Sequence, residues 1–106
     1  MKKARLAVFD LSVYIYGNDE KGRFLKEFSQ EDGNSYGMTS GNGVWIGECD
    51  DMFGLIYHEA NHIVDWILAE RLKCDFVGLM GSREIRAYLL EWVGKEIRKY
   101  VLKEIE

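Results

Sequence analysis

The sequence contains no proline, so no proline-marked linker divides it. Its 106 residues are about one small domain's worth of chain, and residues 1–106 are expected to fold as a single unit. Cysteine is scarce: Cys49 and Cys74 form neither a CxxC pair nor a ligand cluster. That excludes a cysteine-built zinc finger and a disulfide-dense secreted scaffold. Two reduced thiols in a cytoplasmic protein are the expectation. No apolar run is long enough to span a bilayer. "MKKARLAVFDLSV" has the basic start of a signal peptide, but Asp10 breaks its apolar run and no small-residue cleavage site follows, so it reads as a strand. Basic runs stop at Lys2-Lys3 and the formal net charge is −4, which argues against a nucleic-acid partner.

What is present suffices for one core. Aliphatic and aromatic residues make up 47% of the chain. "ARLAVFDLSVYIY" is rich in β-formers, and Leu11, Val13 and Ile15 alternate with Ser12, Tyr14 and Tyr16, which predicts one or two strands. "RFLKEFSQE" predicts a short helix with Phe24, Leu25 and Phe28 on one face. The glycine-rich "DGNSYGMTSGNG" predicts a hairpin or a mobile flap, and "VWIGEC" the next strand. Asp50 or Asp51 then caps a helix from Met52 to about Lys73, with Ile56, Ala60, Ile63, Val64 and Ile67 at helical spacing. After the connector "CDFVGLMGS", Ser82 caps a last helix from Arg83 to about Lys103. The expected fold is α+β, with a small, mostly antiparallel sheet packed on two long helices.

Both histidines lie in "YHEANHIVDWILAERL", four positions apart, with a glutamate after the first. At that spacing His58 and His62 leave the same face of a helix and can reach one Zn²⁺ at about 2.0–2.1 Å. Glu59 projects about 100° further round the axis. It is badly placed for the same ion and well placed to touch a water beside it. This is the HExxH arrangement of two ligands and a general base. Chance placement of two histidines and a glutamate in this pattern has odds on the order of one in five hundred, and the pattern sits in a strongly amphipathic helix. A catalytic zinc needs a third protein ligand. No histidine remains, and Cys49 and Cys74 flank the helix at its two ends, so a carboxylate on the last helix is expected. Glu84 and Glu91 are the candidates; they share a stripe with Tyr88. A solvated face is the simpler account of Glu91, and for Glu84 a first-turn acid favours the helix dipole whatever else it does. Asp65 follows His62 by three positions. It suits either a hydrogen bond to a ligand imidazole or a plain ion pair with a nearby Lys or Arg. Tyr88 suits either carbonyl polarisation or half-buried packing.

"HEANH", followed after 22 residues by "EIRAYLLEW", resembles the gluzincin metallopeptidases, and most closely the minigluzincins, many of them encoded by phages and prophages. The resemblance covers about residues 5–98. It implies a minimal zincin-like fold and one zinc per chain, with His58 and His62 as ligands, Glu84 as third ligand and Glu59 as base. It further implies that "VWIGE", with Val44, Trp45, Ile46 and Gly47, runs beside the cleft and pairs with an extended peptide or protein substrate. No membrane partner is expected for want of a long apolar run, and the host cytoplasm is the expected site of action if the chain is phage-encoded. Larger gluzincins carry a C-terminal subdomain that this chain replaces with one helix. Two readings therefore stand beside a zinc peptidase: a zinc-binding accessory or partner-binding module with little turnover, and a latent form in which "KYVLKEIE" occupies the cleft. Oligomeric state is not legible in the residues.

Overall fold

In the computed structural model, residues 1–73 and 83–104 are described. The chain opens with an antiparallel hairpin of β1 (Lys2–Leu6) and β2 (Leu11–Tyr16), joined by a single 3₁₀ turn over Ala7–Phe9. A second 3₁₀ turn, Asn18–Glu20, leads into the short helix α1 (Lys21–Glu27). The glycine-rich stretch is a hairpin: β3 (Gly37–Ser40) and β4 (Gly43–Ile46) run antiparallel across the two-residue turn Gly41-Asn42. Helix α2 (Met52–Trp66) follows and continues as a π-helical stretch, Ile67–Arg71. Asp51 caps α2, its carboxylate accepting the Gly54 N–H at 2.9 Å. The last helix, α3, spans Arg83–Val101. The expected Ser82 cap, the connector "CDFVGLMGS" and Cys74 lie outside the described residues; Cys49 is a free thiol.

The four strands form one sheet in the order β1-β2-β4-β3. Its outer pairs are antiparallel, and its central pair, β2 with β4, is parallel, with Tyr14 opposite Gly43 and Tyr16 opposite Trp45. The fold is thus α+β, a four-stranded mixed sheet with two long helices. No described helix is long and apolar enough to cross a membrane.

Alternation of the strands sorts the apolar residues to two faces. Leu11, Val13, Ile15, Val44 and Ile46 face the long helices, where Ile56, Ala60, Ile63, Val64, Leu89, Val93 and Ile97 complete the main core. Tyr16, Phe24 and Trp45 fill the opposite face under α1, with Phe28 and Met38 packed against them. The stripe predicted for the first long helix is therefore the surface it buries, and α3 buries Leu89, Val93 and Ile97 while leaving Ile85 exposed. Trp66 and Trp92 sit partly buried at the rim of the main core.

One sequence-based expectation fails here. β4 was expected to lie open beside a cleft, with Val44, Trp45, Ile46 and Gly47 available to a substrate. It is instead an interior strand. Its backbone pairs with β2 on one side and β3 on the other, and all four of its residues are buried. The Gly47 N–H is also taken, by the Tyr36 carbonyl at 2.7 Å. No edge remains there for strand addition. Among the described residues the edges are β1 and β3.

Candidate metal and catalytic centre

Helix α2 brings the motif together as the spacing predicts. The His58 and His62 rings lie with centroids 4.9 Å apart, edge to face at 86°. Both side chains are exposed, His58 strongly so at 67%. Glu59, beside them, is buried. It is only 6% exposed, and among the described residues it is the one charged side chain buried in the fold.

A buried carboxylate needs hydrogen bonds to offset its lost hydration. Glu59 finds one on the edge strand: the Thr39 hydroxyl donates to Oε1 at 2.7 Å. Its second oxygen, Oε2, lies 3.9 Å from His58 Nε2. Gly37, two residues before Thr39 on the same face of β3, makes room for this arrangement. A β-carbon at Gly37 would stand 3.1 Å from Glu59 Cγ, 3.3 Å from Oε2 and 2.8 Å from Leu55 Cδ1. The missing side chain of Gly37 and the hydroxyl of Thr39 together form a notch that receives Glu59. Neither residue was singled out from the sequence.

Helix α3 crosses α2 beside the second histidine. Arg86 donates to Asp65 Oδ1 at 2.7 Å and to Asn61 Oδ1 at 2.9 Å, so its guanidinium spans the residues that flank His62. Asn61 in turn donates to the Tyr57 carbonyl at 2.8 Å, back along α2. Of the two roles open to Asp65, the ion pair is the one observed. Glu84 shares the first turns of α3 with Arg86 and is exposed, as are Tyr88 and Glu91.

The donor set fits a zinc ion in part. Two imidazoles on one helical face, with a carboxylate beside them, have the ligand chemistry of such a site. Among the described residues, no third His, Cys, Asp or Glu side chain converges with the pair to make a group that could hold a metal ion. Glu84 is thus on the neighbouring helix but not drawn in. The C-terminal segment expected as an occupant of the cleft makes other contacts: Tyr100 donates to Glu20 at 2.6 Å, and Glu104 pairs with Arg98 at 2.7 Å. A cavity of about 350 Å³ at the far end of β4, lined by Glu20, Ile46, Glu48, Met52, Tyr100 and Lys103 among others, contains neither histidine.

No protein-family model, curated protein or solved structure matches this chain.

Proposed function

We propose that this chain is a small zinc-dependent peptidase with His58 and His62 as metal ligands and Glu59 as general base. The placement of Glu59 carries this reading. A carboxylate has been taken out of water without a Lys or Arg partner among the described residues, and its Oε2 lies 3.9 Å from Nε2 of the exposed His58. Such burial costs stability. A dication on the two imidazoles would balance the charge, and a base beside a metal gives the carboxylate a use.

A zinc ion held there supplies Lewis acidity, which polarises a carbonyl and makes water more acidic. Glu59 takes one proton from the attacking water as its oxygen bonds to the scissile carbonyl carbon. It then delivers that proton to the departing amine nitrogen as the C–N bond breaks. Its burial keeps bulk water from competing for the carboxylate. The third ligand in this reading is Glu84, on the turn of α3 that Arg86 ties to α2. The substrate is an extended peptide or protein segment paired along β3, the edge strand that also touches Glu59. The chain acts in the cytoplasm, with neither nucleic acid nor membrane as its partner.

The test is zinc stoichiometry together with cleavage of a mixture of quenched, unstructured peptides, comparing wild type with Glu59→Gln at matched zinc loading. One zinc per chain in both proteins, and cleavage by wild type only, is the expected result. Zinc binding without cleavage by wild type would replace this reading with that of a zinc-binding partner module.

A further inference from the structure

We propose that Thr39 is the positioning residue of the Glu59 carboxylate, and that it assigns the two oxygens different tasks. The inference rests on the peptidase reading for its chemistry and on separate geometry for its content. The Thr39 hydroxyl donates to Oε1 at 2.7 Å, a short hydrogen bond to an acceptor that has little water around it. Oε1 is thereby committed. Oε2 is the oxygen turned towards His58, 3.9 Å from Nε2, and it is the one left to take the proton.

Three features make this a built arrangement rather than a chance contact. Thr39 and Gly37 alternate onto the α2 face of β3, opposite Val44 and Ile46, so strand register fixes which side chains meet the helix. Gly37 leaves the space beside Cγ and Oε2, which a side chain at that position would crowd. Thr39 is β-branched, and its stiff χ1 holds the hydroxyl in one direction. The strand that would pair with substrate therefore also sets the rotamer of the base. A peptide in register on β3 would meet Oε2 in a fixed place relative to its own backbone.

The experiment uses the full chain as wild type, Thr39→Val, Thr39→Ser and Gly37→Ala. Thr39→Val keeps the shape and removes the donor; Thr39→Ser restores it. In the zinc-free protein, the ¹³C carboxylate signal of Glu59 is expected to move in Thr39→Val and to return towards wild type in Thr39→Ser. With zinc loaded, all four proteins are expected to hold the metal equally, because the hydrogen bond of Thr39 and the close approach of Gly37 are to Glu59, not to a proposed ligand. Thr39→Val is expected to lose about tenfold to 10²-fold in kcat with KM within about twofold, the scale on which misplacing a reacting group slows chemistry. Thr39→Ser is expected to recover most of that loss, and Gly37→Ala to behave like Thr39→Val. An unmoved Glu59 signal in Thr39→Val, or full turnover by that variant, would overturn the proposal. If zinc-loaded wild type cleaves no peptide, the peptidase reading falls, and the Glu59 signal alone still decides whether Thr39 holds the carboxylate.

Discussion

Gly94 of α3 packs closely against the ring of Tyr57, the residue before His58: a β-carbon at Gly94 would stand 2.3 Å from Tyr57 Cε1. The two long helices approach this closely only because position 94 has no side chain. Gly94→Ala should therefore destabilise the fold even though alanine is the better helix former. Overpacking of a tight contact typically costs about 1–3 kcal/mol. Urea denaturation should show a lower midpoint with an unchanged slope. An unchanged or raised midpoint would mean that the helices separate easily at this point.

His58→Ala and His62→Ala should each lose bound zinc while keeping the fold. Both side chains are exposed, and α2 is held by Ile56, Ala60, Ile63 and Val64. Metal analysis after gel filtration, with circular dichroism on the same samples, checks both halves of the statement. Wild-type zinc content in either variant would remove the metal assignment.

The Arg86 clasp should matter more to metal than to stability. Its ion pair with Asp65 is well exposed, at 37% and 63%. Exposed pairs of this kind contribute about 0–1 kcal/mol. Yet Arg86 holds the start of α3 beside His62, and Glu84 rides on that start. Glu84→Gln should weaken zinc about tenfold or more, Arg86→Ala by several-fold up to about tenfold, and Glu91→Gln hardly at all. Competition with a chromogenic chelator ranks the three. A larger loss in Glu91→Gln than in Glu84→Gln would move the third ligand down α3.

Glu20 should make stability depend on pH in the acid range. Burial raises the carboxyl's pKa, but the Gly17 N–H, the Met1 ammonium and the Tyr100 hydroxyl outweigh it and hold the group at about 2 against an ordinary value of 4.5. A depressed pKa contributes stability in full above the unfolded value and loses it as pH falls through the folded one. Glu20→Gln should thus be less stable than wild type at pH 7, by about 1 kcal/mol for charge-assisted bonds that are partly solvated. The gap should close between about pH 4.5 and pH 2. A gap independent of pH would show that packing, not charge, is what the substitution removes.

The helices and their buried stripe were legible because periodicity and capping are local: Asp51 caps α2, and Ile56 to Ile67 mark its inner face. The histidine pair was legible for the same reason, four residues being about one turn. The place of β4 was not foreseen, although a signal existed. Val44, Trp45 and Ile46 form an unbroken apolar run, the pattern of a strand covered on both faces and paired on both sides, not of one lining a cleft. Thr39 and Gly37 had no such signal. They lie about twenty residues before Glu59, in a stretch whose composition spells turns, and only the register of β3 on β4 turns them towards the helix. Asn61 was hidden in the variable part of the histidine motif, and Arg86 in the segment read for its glutamate. Their meeting depends on how α2 and α3 cross, which no local pattern encodes.

The sheet has two edges, and they are guarded differently. β1 presents Lys2, Lys3 and Arg5, all exposed, and rows of like charge on an edge strand deter a second chain from joining it. β3 carries Met38, Thr39 and Ser40 and no charge at all. An edge proposed to receive a peptide would be equally open to another copy of the same protein. Its protection is brevity: four residues, with Gly37 at one end and the turn at Gly41 at the other, are too few to seed a long ladder. Concentrated samples should gain their first intermolecular β-structure here, and a lysine in place of Met38 should suppress it. Self-association is thus the liability that accompanies an edge strand without charge.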